Sequence, residues 1–284
     1  TPVAVGLLVE RGRLTLDAPI QTYVPAYPAK PWPVTLRQLM AHTAGLRRDA
    51  GDEEPIHARC ERPADALPRF AEAPLLFEPG TQYRYSSYGW ILVSAAVEAV
   101  AGESFGTFMR RQVFDPLGMD DTRADAVVGT SAGQATYYFP RFAADPRYGP
   151  QDPDQEDFSC FAGAAAFVST PSDLVRFGLA LNAGRLLQPD TVHLLQTSPT
   201  LPSGQTTGYG LGWELEPVDL PGAPTTTIGY DGALRDGTVM SFVSLPDRGL
   251  VVAVTANTSF AETRPVALQL VRAFLEAGPG PPPR

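Results

Sequence analysis

Lysine is almost absent from this 284-residue sequence: of its 22 lysines and arginines, only Lys30 is a lysine. The 31 acidic residues exceed the basic ones, which gives a formal net charge of −9, and no cluster of basic residues interrupts this excess. A surface of this charge repels a polyanion. The sequence therefore predicts no nucleic-acid partner.

Long apolar runs and cysteines are also scarce. No run is long and apolar enough to cross a bilayer, so we expect no transmembrane segment. Two cysteines, Cys60 and Cys160, do not form a disulfide framework, and we expect free thiols, with a single bridge as the alternative. His57 and Cys60 could be two metal ligands, but no second pair matches them. We therefore predict neither a metal site nor a cofactor.

The remaining composition, 44% hydrophobic and 19% charged, is typical of a globular protein with one core or two lobes. Four strand-like runs begin at Tyr209, after a mainly helical region, and a closing helix follows from Pro265 to Ala277. This order predicts an α+β fold in which a helical lobe lies beside an antiparallel sheet. We assign residues 1–277 to one domain and 278–284 to a disordered tail.

Local signals place several helix ends. A capping residue or a closing glycine marks each of them. The predicted signals are Gly12 after an apolar first helix, the capping box Thr35 to Gln38, Ser87 as the N-cap of a helix through Ala101 with Gly102 closing it, Ser104 as the next N-cap, and Thr170 before Pro171.

Two motifs point to chemistry. The block from Phe77 to Thr122 contains Tyr85 in the run YRYSSYGW, and a second motif, Tyr230-Asp231-Gly232-Ala233, lies between two strand-like runs. A serine acyl-transfer site also needs an activated hydroxyl, for which Ser-x-x-Lys is one solution. The residue three before Lys30 is Tyr27, so this motif does not occur in the sequence.

These motifs resemble those of the serine beta-lactamase and penicillin-binding-protein superfamily, and in particular its class C beta-lactamase-like branch. The segments LLVERGRLTLDAPIQTYVP, LRQLMAHTAGL, AGAAAFVSTPSDLVRFG and YGLGW extend the resemblance over nearly the whole chain. The resemblance implies a beta-lactamase/transpeptidase-like fold. It also implies that Ser-x-x-Lys precedes Thr1, with further N-terminal elements missing. His42, in HTAGL, is a family hallmark that we interpret as structural.

The resemblance also assigns roles to residues. Tyr85 matches the tyrosine that helps to move the proton of the nucleophile, and Ser87 stands where many relatives have asparagine. Tyr230 replaces a lysine or histidine, which leaves the site less cationic. The remaining candidates are Gly232 for close backbone approach, the Ala233 N–H as an oxyanion donor, and Arg235 as a substitute cation or a solvated residue.

The sequence leaves two hypotheses for the function, one for an enzyme and one for a non-catalytic protein. The first is a serine hydrolase that acts through an acyl-enzyme on a small ester, amide or peptide, with Tyr230 favouring esters over substrates that carry a carboxylate. As it stands, without Ser-x-x-Lys, the chain is expected to be inactive. The alternative is a non-catalytic binding or assembly protein with the same fold. An N-terminal nucleophile at Thr1 is disfavoured because Pro2 follows it and the family match accounts for this boundary.

Overall fold

The computed structural model describes residues 1–48, 59–124, 133–138, 157–165, 167–220, 224–233 and 239–277. Within these ranges a group of helices adjoins a four-stranded antiparallel sheet, which confirms the predicted α+β class. The tail, residues 278–284, lies outside the described residues. The α-helices are α1 Pro2–Glu10, α2 Leu36–Met40, α3 Ser87–Ala101, α4 Phe105–Met109, α5 Asp115–Leu117, α6 Pro171–Asn182, α7 Pro189–Leu195 and α8 Thr263–Ala277.

Shorter elements connect these helices. A π-helical segment, Arg110–Phe114, joins α4 to α5. The 3₁₀ helices are Ile20–Thr22, Pro63–Arg69, Ser159–Phe161 and Pro246–Arg248. The strands are β1 Arg123–Ala124, β2 Phe167–Val168, β3 Glu214–Val218, β4 Thr225–Ala233, β5 Val239–Leu245 and β6 Leu250–Ala256.

Most of the predicted helix signals are confirmed. Thr35 and Gln38 form the capping box of α2, and the side chains of Ser104 and Thr170 cap α4 and α6. Gly102 ends α3 with a φ of 75°, a left-handed conformation that glycine adopts without a steric penalty.

The prediction that Ser87 is the N-cap of α3 is wrong. Ser87 is the first residue of the helix, and Ser86 occupies the cap position. The Ser86 hydroxyl is buried and donates to the carbonyl of Arg47 at 2.6 Å instead of capping the helix. Tertiary packing therefore overrides the local capping preference at this position.

Helix α3 is the centre of the helical lobe. Its residues from Tyr88 to Val97 are all buried, and α1 and α2 pack against it. Within the described ranges, no single helix is long and apolar enough to span a membrane. The pair Ser87–Ala101 and Phe105–Leu117 meets that criterion only in combination, and its two parts are bent by 75°.

The sheet has the order β3-β4-β5-β6, with every neighbouring pair antiparallel. Helix α6 packs on one face, where a side chain at Gly178 would collide with Phe242 and Val251. Helix α8 covers the other face through Ala267 and Val271. The sheet is thus held between the helical lobe and the closing helix.

The structure corrects the predicted limits of two strands. Strand β4 continues through Ala233, because Tyr230 to Ala233 pair with Val239 to Phe242 of β5, so the second motif lies within a strand. Strand β3 begins only at Glu214, and the preceding Tyr209 reaches it through an isolated bridge.

The expectation of free thiols is wrong. Cys60 and Cys160 form a disulfide between residues 100 positions apart in the sequence. The backbone N–H of Cys60 also donates to the Ser159 hydroxyl at 2.8 Å, which aligns the two segments. Sequence spacing alone contains no information about this proximity. His57 lies outside the described residues.

Candidate active site

The two sequence motifs meet at a pair of tyrosines. The hydroxyl oxygens of Tyr85 and Tyr230 lie 2.6 Å apart, although the residues are 145 positions apart in the sequence. Tyr85 belongs to the segment that leads into α3, and Tyr230 belongs to β4. Either hydroxyl can donate the hydrogen bond. The contact joins the helical lobe to the sheet at this point.

His42, which follows α2, holds the segment that carries Tyr85. Its backbone carbonyl accepts from the N–H of Arg84 at 2.8 Å, and its Nδ1 accepts from the N–H of Ser86 at 3.2 Å. Between these two bonds, its ring lies 4.2 Å from the Tyr85 ring, centroid to centroid. A single residue thus fixes the backbone on both sides of Tyr85 and supports its ring.

His42 is neutral in this environment. Its side chain is 2% exposed, and burial lowers its pKa to about 3. Because Nδ1 accepts a hydrogen bond, the proton of the neutral ring resides on Nε2. The backbone φ of His42 is 56°, a left-handed conformation that histidine adopts more readily than most residues. These contacts agree with the structural role expected for His42.

The tyrosine hydroxyls around the pair remain protonated near neutral pH. Burial is the largest cause of the raised pKa of Tyr230, and it also raises the pKa of Tyr209 well above the ordinary value. Burial likewise raises the pKa of Tyr83 to about 12. Among the described residues, no lysine or arginine side chain bonds to the hydroxyl of Tyr85 or Tyr230. The described part of the site therefore presents no lysine or arginine side chain to these two hydroxyls.

The only lysine is engaged elsewhere. The ammonium of Lys30 donates to the carbonyls of Ala71 and Ala73, with a distance of 2.8 Å for the latter. It also lies 5.4 Å from the centre of the Tyr27 ring. These contacts tie the Pro-rich segment that contains Lys30 to the residues that follow the 3₁₀ helix Pro63–Arg69. The tyrosine pair therefore has no lysine from this sequence beside it.

Strand β4 presents a backbone edge next to the tyrosine pair. Glu214, the first residue of β3, pairs with Gly229, so β3 leaves the later residues of β4 uncovered on that side. The N–H of Asp231 points to this edge, where it donates to Oε2 of Glu214 at 3.1 Å. Backbone N–H groups of a regular strand alternate between its two sides, so the N–H of Ala233 points to the same edge.

The other predicted site residues make no described hydrogen bond to the tyrosine pair, or lie outside the described residues. Ser87 is half-buried at the start of α3, and within the described ranges its side chain bonds to neither tyrosine. A Cβ added to Gly232 would lie 3.3 Å from Met240, which is a tight contact, and 3.6 Å from the Tyr230 ring, which is an ordinary one. Arg235 lies outside the described residues.

The sequence reasoning missed Tyr209 and Glu214. Tyr209 is buried, its ring lies 4.8 Å from that of His42, and its hydroxyl has no hydrogen-bond partner among the described residues. Both residues belong to the segment YGLGWEL, whose sequence pattern predicts a strand but no site residue. Its family resemblance was the signal that could have drawn attention to them.

A helical lobe that brings Tyr85 to the edge of an antiparallel sheet defines the beta-lactamase/transpeptidase class of fold. The family described as Beta-lactamase matches residues 1–276. The chain belongs to this family of serine hydrolases, which confirms the resemblance predicted from the sequence.

The relatives include hydrolases and penicillin-binding proteins. Penicillin-binding protein 4* of Bacillus subtilis (strain 168) is 25% identical over 232 residues, which are 76% of this chain and 50% of the relative. A D-aminopeptidase of Cereibacter sphaeroides is 27% identical over 282 residues, which cover 94% of this chain and 50% of the relative. The chain thus spans about half the length of these two relatives.

The solved structures include the D-amino acid amidase from Ochrobactrum anthropi SV3 in complex with D-phenylalanine. It superposes with a TM-score of 0.75 over 97% of this chain and 81% of the amidase, at 23% identity. This similarity supports the same fold.

Within the described residues, no group of three or more histidine, cysteine or acidic side chains could hold a metal ion.

Proposed function

We propose that this chain forms most of the active site of a serine hydrolase that transfers an acyl group from a small ester, amide or peptide to an enzyme serine and then to water. The observation that carries the proposal is the 2.6 Å contact between Tyr85 and Tyr230 beside the open edge of β4. This contact joins the two motifs that the family uses around its nucleophile.

In this proposal each group at the edge has a distinct task. Tyr85 exchanges the proton of the nucleophile, and Tyr230 holds the Tyr85 hydroxyl in place by its hydrogen bond. The N–H of Ala233 donates to the oxyanion that develops on the substrate carbonyl. Gly232 keeps the strand free of a side chain next to Tyr230, and Ser87 lies at the start of α3 as a further donor.

The nucleophile in this proposal is a serine of a Ser-x-x-Lys motif outside residues 1–284. Lys30, the only lysine here, bonds to the carbonyls of Ala71 and Ala73. The start of α1 is a suitable point of approach, because the Thr1 hydroxyl donates to the carbonyl of Gly163 at 2.6 Å. A Cβ built at Gly212 would collide with Pro2 and would lie 2.6 Å from the Trp90 ring, so the start of α1 also borders that ring. By resemblance, the serine would lie about six residues before Thr1, and six helical residues span about 9 Å.

The aromatic contacts support this approach. The Trp90 ring lies 5.8 Å from the His42 ring, which in turn lies 4.2 Å from the Tyr85 ring. The Trp90 and His42 rings therefore form successive contacts that link the start of α1 to the Tyr85 ring. A lysine brought to this position would supply the cation that Tyr85 needs to act as a base near neutral pH.

The lack of a bonded cation at the tyrosine pair among the described residues also affects the choice of substrate. A carboxylate on the substrate would find no lysine or arginine at Tyr85 or Tyr230 among the described residues. The names of the relatives, D-aminopeptidase and D-amino acid amidase, support an amide or peptide bond as the target. We therefore propose esters and amides without a carboxylate, rather than beta-lactams that carry one, as the preferred substrates.

The test uses the full-length protein that contains this chain, with a fluorophosphonate probe and p-nitrophenyl esters. We expect covalent labelling and turnover, and we expect Tyr85→Phe to reduce kcat by a factor of about 10² to 10⁴, because it removes the proton-transfer group. Tyr27→Phe is the matched control, since the Tyr27 hydroxyl is also buried but lies outside the site and has no partner among the described residues.

Three results would contradict the proposal. These are the absence of Ser-x-x-Lys from the full-length protein, a failure of the probe to label it, and an equal loss of activity in both tyrosine variants. The first two would favour the non-catalytic binding protein instead. Turnover by residues 1–284 alone would contradict the assignment of the nucleophile to a segment outside them.

A further inference from the structure

A cavity lies one strand away from the motif Tyr230 to Ala233. Its volume is about 740 Å³, which falls in the range of small-molecule sites in proteins. Its walls include side chains from the π-helical segment Arg110–Phe114, from β2, from α6 and from the ends of β5 and β6. Within the described ranges, none of the residues to which the proposed function gives a task lines this cavity.

Met240 connects the cavity to the tyrosine pair. In the register of β4 and β5 it lies opposite Gly232, so both positions share the face of the sheet that also carries Tyr230. A Cβ at Gly232 would lie between the two, 3.3 Å from Met240 and 3.6 Å from the Tyr230 ring. Met240 itself lines the cavity, which therefore begins about 5 Å, one strand spacing, from Gly232.

The walls present apolar side chains that the protein covers only in part. Phe167, Leu174, Phe177 and Met240 all line the cavity and are half-buried, although each also packs against the main core. Burial of the remaining apolar surface by a ligand is favourable, because it removes that surface from water. The cavity therefore favours an apolar occupant.

Several polar side chains of the walls are already bonded within the protein. The Thr122 hydroxyl lies 2.8 Å from the Ser169 hydroxyl and 2.8 Å from Oδ2 of Asp173. The side-chain amide of Asn257 donates to the carbonyl of Thr136 at 2.7 Å. A polar group of a ligand would have to displace these bonds or remain unpaired, and either outcome costs free energy.

The geometry also sets the length of the group that can reach the cavity. The N–H of Ala233 points to the same edge of β4 as that of Asp231, away from β5, so a carbonyl oxygen bound there lies about 3 Å outside the strand. A chain attached to this carbonyl must cross β4 at Gly232 and extend about 8 Å in total before it reaches Met240. An acetyl group is too short for this path, whereas a medium-length chain spans it.

We propose that the cavity binds the apolar acyl group of the substrate and that Met240 limits how bulky this group can be. The inference rests on the proposed function, which places the reacting carbonyl at the N–H of Ala233. The acyl chain then passes across Gly232 and over Met240 into the cavity. The substrate class is an ester or amide of a medium-chain aliphatic acid.

The test compares p-nitrophenyl esters of increasing acyl length, from acetate through butyrate to octanoate, with the full-length protein. Each methylene that enters the cavity should raise kcat/KM by about fourfold, and this gain should begin only with chains long enough to pass Met240. Leu174→Trp places a larger ring in the cavity and should remove the preference for octanoate over acetate. Leu179→Trp is the matched control, because Leu179 lies on the same helix and is 42% exposed.

A second variant tests the passage itself. Met240→Ala removes most of the side chain beside Gly232, so branched esters such as p-nitrophenyl 2-ethylhexanoate should gain in kcat/KM relative to the octanoate. A wild-type protein whose kcat/KM does not depend on acyl length would overturn the inference. So would a preference for octanoate that is equal in Leu174→Trp and Leu179→Trp.

A binding measurement separates this inference from the proposed function. Octanamide and acetamide are titrated calorimetrically into the full-length protein, where octanamide should bind at least about tenfold more tightly and Leu174→Trp should remove the difference. This result in a protein that no fluorophosphonate labels would support the apolar cavity and sink the hydrolase. Turnover that requires Tyr85 but is independent of acyl length would retain the hydrolase and remove the role of the cavity.

Discussion

At the scale of single residues, His42 shows how one side chain can define a site without entering its chemistry. Its carbonyl and Nδ1 bind the N–H groups of Arg84 and Ser86, on either side of Tyr85. Only a neutral ring can accept at Nδ1, and protonation would place two donors face to face. The geometry of Tyr85 is therefore linked to the protonation state of His42.

This linkage predicts a dependence of stability on pH. The pKa of His42 is about 3 in the folded chain and about 6.5 in an unfolded one, so the unfolded chain binds more protons between these values. The contribution of His42 is fully present above pH 6.5 and is lost as the pH falls towards 3. The free energy of unfolding should fall by up to about 1.4 kcal/mol per pH unit in this window.

Urea unfolding between pH 4 and 7 measures this slope. His42→Asn is the comparison, because asparagine tolerates a positive φ and offers an acceptor but does not titrate. Other titrating groups contribute to both proteins and cancel in the difference. Equal slopes for the two proteins would show that His42 is not the group responsible.

At the scale of elements, the disulfide links the segment that contains Cys60 to the 3₁₀ helix that contains Cys160, which packs against α3. Cys160 and Phe161 belong to the 3₁₀ helix Ser159–Phe161, and the Phe161 ring stacks near Tyr88 of α3 at 6.1 Å between centroids. Tyr88 is stacked on its other neighbour, Phe70, at 4.5 Å. The bridge from Cys60 thus fastens a segment that packs against the first turn of α3, directly after Tyr85.

Removal of the bridge should destabilise the protein strongly. A crosslink between residues 100 positions apart raises the free energy of the unfolded chain by about 4.7 kcal/mol, because it removes conformational entropy. We expect the double variant Cys60→Ser, Cys160→Ser to lose this amount in urea unfolding without reductant. With reductant, the wild-type protein should approach the variant. A difference that persists after complete reduction would show that the serines themselves, rather than the lost bridge, cause the effect.

At the scale of the whole molecule, the sheet ends at an edge strand, β6, with no further strand beside it in the described part of the chain. Strand β6, with the uncharged sequence LVVAVTA, has β5 as its only strand partner there. On the adjacent α8, Val266, Leu270 and Phe274 form an apolar stripe at a spacing of four residues, and Phe274 is 60% exposed. Uncharged edges and apolar stripes promote association between protein chains.

Residues 1–284 expressed alone should therefore self-associate. Sedimentation velocity at increasing concentration should show a rising average mass, and Leu270→Glu with Phe274→Glu should reduce it by placing charges on the stripe. Gln269→Glu adds a charge to the same helix outside the stripe and is the matched control. A monomer at all concentrations, or an equal effect of the control, would refute this prediction.

The sequence by itself determined the class of fold, the caps of α2, α4 and α6, and the approximate positions of the four strands of the larger sheet. It also identified Tyr85 and the motif at Tyr230 through their resemblance to a known family. Capping bonds and hydrophobic periods act over a few residues, so they can be identified directly from the order of amino acids.

Only the tertiary structure decided which distant groups meet. It joined Cys60 to Cys160, placed the Tyr85 hydroxyl against that of Tyr230, and turned Ser86 away from the start of α3. It also brought Glu214 to the open edge of β4. These contacts depend on how helices pack against the sheet, and that packing is the sum of many weak interactions that no local pattern contains.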